Sequence, residues 1–447
     1  IFFLPIYIKN HIYTMPQFLA GRYNNTVSTL MAIFWLLVYV FVNLTSIFFL
    51  GALAVETITG VPFVICILAL AFFSVVITLG GMKVIGYTDV IQVLVLVIGG
   101  LVTCYMALSL VADEFRLDTV LAALPVLRTE ASNHFTMIFH EGDKYYNELP
   151  GLAVLAGGLW INNLNYWGCN QYIIQRALGA DLNTGRKGLI FAAFLKLLIP
   201  VIVVIPGIAA YVLFQQGYFQ EEMRDVNGVV KPDHAYPVLM NLLPTGLKGL
   251  AFAALTAAIV ASLAGKCNSI ATIFTLDIYK KYLNKEASER KMVGIGRWAV
   301  IISTLIAIVI APALRSFDQV YQFIQEYVGF ISPGVFAIFL LGFFWKRTTS
   351  SAALTAALLT IPLSVLLKFL PTLSQGLIAP IPFLHRMSWV FVIIIGLMVI
   401  ITLADSKSKD NPQGLEIDRG MFKVSPWFVV SSVIICGILA ALYTVFW

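Results

Sequence analysis

Runs of about twenty apolar residues, separated by shorter polar connections, recur from one end of the chain to the other. A run of that length crosses a bilayer as a helix rising 1.5 Å per residue. The pattern predicts eleven spans, over 27–55, 61–81, 88–110, 151–175, 187–214, 248–279, 292–314, 319–345, 349–370, 387–404 and 426–447. Two connections are longer than the rest. The 111–150 segment can hold a short amphipathic helix over the outer mouth, and 405–425 reads as a polar cytoplasmic loop. Three spans carry internal breakers: Gly157-Gly158, Pro200 with Pro206, and Ser332-Pro333-Gly334. A break frees backbone carbonyls, which is tolerable only beside protein or a water-filled cavity. Secondary transporters often bind their ligands at such breaks. A plain kink is the alternative, and at 332–334 both readings stand.

Composition agrees with the pattern. Of 447 residues 60% are hydrophobic and 12% charged, roughly half the charge of a soluble domain. The expected fold class is an all-α, polytopic membrane helical bundle. The net charge of +6 is explained by topology rather than by a nucleic-acid partner. Lys and Arg concentrate in alternate connections, with Lys280, Lys281, Lys285, Arg290, Lys291 and Arg297 in one of them. That side is cytoplasmic by the positive-inside rule. Only Lys196 and Lys266 are basic residues well inside spans. The five cysteines, Cys66, Cys104, Cys169, Cys267 and Cys436, fall in apolar segments at no metal-ligand spacing and are expected to be buried thiols. The opening IFFLPIYI is too short to span and has no signal-peptide features. It reads as the cytoplasmic end of a helix, with the expectation that the chain is truncated at its N-terminus.

The costliest positions are polar ones at depth. WINNLNYWGCNQYIIQR (160–176) places five side-chain amides after an apolar run, and each is expensive in hydrocarbon unless hydrogen-bonded. Read as one helix, Asn163, Tyr166, Trp167 and Asn170 share a face at i, i+3, i+4 and i+7. Amides that donate and accept, beside aromatic rings, suit a neutral polyhydroxylated ligand; helix-to-helix glue is the competing role. Lys196 lies nine residues past Lys187, about 13 Å into the membrane. It either faces a ligand cavity or neutralises Glu326, which neighbours Gln325. In 248–279, Ala258, Ala261 and Ser262 cluster at mid-span. A hydroxyl with freed carbonyls is a hard-oxygen site fit for Na⁺, whereas a serine in a span commonly bonds its own i−4 carbonyl. No Walker motif, HExxH or Ser/His/Asp set indicates an enzyme, and no repeated ring indicates a channel filter.

These residues carry a resemblance. YVFVNLTSIFFLGALAVETI (39–58), YTDVIQV (87–93), LPGLAVLAGGLW with NYWGCNQYIIQR (149–176), VIPGIAAYV (204–212), NSIATIFTLDIYK (268–280) and QFIQEYVGFISPG with FLLGFFWKRTTS (322–350) are similar to the sodium/solute symporter family. The resemblance implies a LeuT-type inverted-repeat bundle lacking its first helices. Residues 1–110 would be the remainder of the first repeat, 151–345 the second, and 346–447 peripheral helices. It implies Na⁺-driven symport of a sugar, galactose or glucose, across the cell membrane, with myo-inositol or an amino acid as alternative solutes. A transport-silent sensor or channel is the alternative of another class. Carried over by position, Asn163, Lys196 and Gln325 would hydrogen-bond the sugar, and Tyr166 would stack on it. Trp167, Asn43, Asp89 and Arg176 would form the gate and exit path. Ala258, Ala261 and Ser262 would hold Na⁺, although the family usually has Ser where Ala261 stands. The implied partners are the sugar, Na⁺ and the lipid bilayer, with no nucleic acid and no obligate protein.

Overall fold

The computed structural model describes residues 2–447 except 13, 81, 144, 145, 148, 225–227, 318, 410, 412 and 416; the side chains of 82–89, 156, 407 and 419 also lie outside the description. Almost every described element is helical. The spanning helices are α1 (Asn25–Thr59), α2 (Phe63–Leu79) and α3 (Met82–Glu114). A broken segment follows as α4 (Gly158–Cys169) and α5 (Gln171–Ala177). Then come α6 (Leu182–Gln215), α7 (Thr245–Leu283) and α8 (Glu289–Ser316). The bent pair α9 (Val320–Gly329) and α10 (Ser332–Phe344) precedes α11 (Ser350–Leu373), α12 (Phe383–Ala404) and α13 (Pro426–Val445). Each of the eleven expected spans corresponds to one helix or one broken pair. Eight helices among the described residues are individually long and apolar enough to cross a membrane.

Local chemistry explains the ends. Asn24, Ser288, Thr349 and Ser425 accept first-turn N–H groups at the starts of α1, α8, α11 and α13, each satisfying an otherwise orphaned donor. Asp181 does the same for α6, and the Thr184 hydroxyl on its carboxylate holds the Asp181 carboxyl below its ordinary range. Gly60, at φ 72°, ends α1 in the left-handed conformation that glycine adopts without strain. The Pro200 and Pro206 breakers leave α6 continuous but widen it into a π-helical stretch, Pro200–Val204. A proline ring displaces the carbonyl one turn earlier, and a wider turn accommodates it.

The break between α9 and α10 bends the pair by 45°. Its freed Phe330 carbonyl accepts the Ser364 hydroxyl at 3.1 Å and, more weakly, that of Thr360 at 3.5 Å, both from α11. The Gly334 N–H donates to Thr360 Oγ1 at 3.1 Å. At this break the freed backbone groups are bonded by protein. At the other predicted break, Gly158 lies so close to the Leu384 backbone of α12 that a Cβ would collide with it. A short helix, Ala123–Glu130, lies within the 111–150 connection and packs on α3 and α6. The core is apolar and aromatic, with Phe18 against Phe339 and Phe343 at ring-centroid distances of 4.9 and 4.6 Å. Four cysteines are buried; Cys436 is exposed, because α13 lies at the periphery with 11% of its apolar window covered.

Candidate functional site

α4 is a three-turn helix between two breaks, and its two faces are treated differently. On one face Asn162 and Asn165 are buried against α9 and α10. Asn162 Nδ2 donates to Gln325 Oε1 at 3.1 Å, and the Ser332 hydroxyl returns a bond to Asn162 Oδ1 at 3.3 Å. Asn165 Nδ2 donates to Ser332 Oγ at 3.0 Å. These two amides are the helix-to-helix glue that the sequence offered as an alternative role.

The opposite face stays open. Asn163 is exposed, and its Nδ2 reaches only the Leu159 carbonyl one turn back, at 2.9 Å. Its Oδ1 accepts nothing among the described residues. Tyr166 is half-buried and meets Trp167 edge to face, with ring centroids 5.5 Å apart. From α6, Lys196 brings its ammonium to 4.8 Å from the centre of the Trp167 ring, a cation–π contact. Asn163, Tyr166, Trp167 and Lys196 thus line one open surface with amide, phenol, ring face and ammonium. Gln325 is joined to α4 through Asn162 and donates its own Nε2 to Tyr321 Oη at 2.9 Å.

Three expectations need correction. Asn170 does not continue the face of Asn163 and Tyr166, because the helix breaks there, at φ −99° and ψ 120°. Its Oδ1 instead accepts the Tyr39 hydroxyl at 2.6 Å and caps α5. Gln171, the last of the five amides, accepts the Met15 N–H at 2.9 Å. Lys196 does not pair with Glu326, whose carboxylate is engaged by Arg386 at 2.5 Å and Lys368 at 3.1 Å. The tyrosines Tyr39 and Tyr172 were missed: Tyr39 is 131 residues from the break, and Tyr172 sits beside it, where an unbroken helix gave its ring no special role.

The residues expected at the gate are dispersed. Asn43 donates to the Val38 carbonyl at 3.1 Å within the π-helical stretch Val38–Leu44 of α1. Arg176 stacks over Tyr172 at 4.4 Å and packs against Gly265 of α7. The side chain of Asp89 lies outside the described residues.

On α7, Ala261 is buried and Ala258 and Ser262 are half-buried. Ser269, Thr272 and Thr275 of the same helix each bond the carbonyl four residues back, at 3.0, 2.8 and 2.7 Å. Ser262 differs: its hydroxyl makes no hydrogen bond among the described residues. A hydroxyl not tied to its own backbone keeps its lone pairs for another partner.

A model of the sodium:solute symporter family matches residues 1–360. The sodium/glucose cotransporter of Vibrio parahaemolyticus is 44% identical, with all of this chain and 82% of that protein aligned. The mouse sodium/myo-inositol cotransporter 2 is 32% identical over 80% of this chain and 55% of its own length. A bovine sodium/mannose cotransporter is 31% identical, with 93% and 73% aligned. Among solved structures, an outward-open, substrate-bound Na⁺-coupled sialic acid symporter superposes with a TM-score of 0.74 at 20% identity, covering 91% of this chain and 80% of that one. At that identity the superposition speaks for the shared fold.

Proposed function

The chain belongs to the sodium:solute symporter family of multi-pass membrane proteins, and from that premise we propose that it drives uptake of a sugar, galactose or glucose, with the Na⁺ gradient. Asn163, Lys196 and Gln325 hydrogen-bond the sugar hydroxyls, and Tyr166 covers the apolar face of the ring. Trp167, Asn43, Arg176 and Asp89 shape the gate and exit path. Na⁺ sits on α7 between the Ala258 carbonyl and the Ser262 hydroxyl, beside Ala261. The division into 1–110, 151–345 and 346–447, as partial first repeat, second repeat and peripheral helices, belongs to the same proposal.

One observation carries the reading: the two-sided use of the amides on α4. Asn162 and Asn165 are bonded to α9 and α10, while Asn163 points an unmatched carbonyl into the open surface shared with Tyr166 and Lys196. Coupling then needs Na⁺ to bind one conformation better than the other. An ion held on α7 and a sugar held on α4 bias the same outward arrangement. Loss of the ion loosens that arrangement, and the sugar leaves past Tyr166.

The test is the Na⁺ concentration giving half-maximal sugar uptake in proteoliposomes of the natural protein. Ser262→Ala raises it at least tenfold, since the hydroxyl assigned to the ion is removed. Ala261→Ser lowers it a few-fold by adding a neutral ligand. An unchanged value in Ser262→Ala would place the ion elsewhere.

A further inference from the structure

Lys266 is a buried basic side chain of α7 that the proposed transport cycle does not use. It is 3% exposed, and its Nζ has no hydrogen-bond partner among the described residues. Two aromatic faces surround it instead, Tyr172 of α5 at 4.2 Å and Tyr39 of α1 at 4.5 Å from their ring centres. Arg176 lies over the same Tyr172 ring at 4.4 Å and against the neighbouring Gly265. No carboxylate pairs with the Lys266 ammonium among the described residues. The slot joins three elements: α7, the π-helical stretch of α1, and α5 just past the Asn170 break that Tyr39 holds. Aromatic faces attract a cation without supplying a counter-charge, so an ammonium there meets no carboxylate among the described residues.

Ser262 precedes Lys266 by four residues, so the two side chains lie on one face of α7. A helical side chain also leans back over the preceding turn, which brings the ammonium toward Ser262. Resting on the Na⁺ seat of the proposed function, we propose that Lys266 is a positioning residue for the ion step: a built-in cation whose charge weakens Na⁺ binding one turn away. Two unit charges about 8 Å apart at an effective permittivity near 20 repel enough to shift an equilibrium by more than tenfold. The repulsion keeps the seat from filling at low Na⁺ and favours release of the ion. The aromatic slot fixes the ammonium in place, so its charge acts at constant distance.

The experiment measures Na⁺-dependent sugar uptake in proteoliposomes for the natural protein, Lys266→Met, Lys266→Gln and Lys266→Arg. Met matches the lysine stem in volume, and exchanging an unpaired buried charge for an apolar group of similar shape is neutral or stabilising. Both neutral variants should therefore accumulate in the membrane at normal levels. Their half-saturating Na⁺ should fall about tenfold, with the sugar half-saturation at saturating Na⁺ unchanged, and Lys266→Arg should keep the natural value. An unchanged or weakened Na⁺ half-saturation in Met and Gln would overturn the inference. Failure of both variants to accumulate would overturn it too, because the ammonium would then be a structural necessity. If the natural protein shows no Na⁺ dependence, the symport reading itself fails, and the natural-protein arm reports that separately from the variants.

Discussion

Two regions that meet α10 handle polar groups inside an apolar bundle in opposite ways. At the C-terminal end of α10, Arg22 is buried and fully engaged. Its guanidinium donates to the carbonyls of Gly342, Thr348, Trp345 and Lys346 at 2.8 to 3.2 Å. Those carbonyls belong to the last turn of the helix and the loop beyond, where no intrahelical donor exists. On α4, which packs against the other end of α10, the outward face keeps Asn163 and Tyr166, with Lys196 of α6 beside them, short of hydrogen-bond partners among the described residues. Saturated polar groups hold helices together, and unsaturated ones in the same bundle are available to a ligand. The residue types alone do not separate the two roles. Asn162 and Asn163 are neighbours in sequence, and only their partners distinguish them.

The comparison breaks first at Arg22. Replacing it with Met removes a buried, hydrogen-bonded charge and takes one donor each from the carbonyls of Gly342, Trp345, Lys346 and Thr348. A loss of about 3–5 kcal/mol is expected, seen as a collapse in the yield of monodisperse protein and in its melting temperature in detergent. A variant that melts normally would show that the Arg22 anchor is dispensable.

The two faces of α4 give a matched pair of smaller effects. Asn163→Ala should leave the melting temperature unchanged and reduce sugar uptake at least tenfold, since one or two ligand hydrogen bonds are lost. Asn165→Leu should do the reverse. Its Oδ1 already lacks a partner, so only the bond to Ser332 disappears. The expected destabilisation is about 0.6–1.7 kcal/mol, the range for interhelical hydrogen bonds in membranes, with uptake per folded molecule retained. If Asn163→Ala melts like a core variant, the open-face reading is wrong.

Much of this architecture was legible in the sequence, because bilayer thickness forces long apolar runs and Ser332-Pro333-Gly334 cannot continue a straight helix. The caps were equally local. Long-range pairing was hidden. Glu326 offered itself to Lys196 on depth alone, yet Arg386 and Lys368, 60 and 42 positions further on, reach it first. The face drawn through Asn163 and Asn170 assumed an unbroken helix, and no glycine or proline at 170 announced the break. Tyr39 marks that break from a distance of 131 residues. Cys436 was misjudged because hydropathy does not tell a lipid-facing helix from a buried one.

The most direct measurement of the central claim is uphill accumulation of labelled galactose and glucose in proteoliposomes of the natural protein. An inward Na⁺ gradient is compared with an equal choline gradient. The account predicts accumulation above equilibrium with Na⁺ only, abolished by a Na⁺ ionophore and by Asn163→Ala. Equal uptake in Na⁺ and choline, or none of either sugar under both, would contradict it.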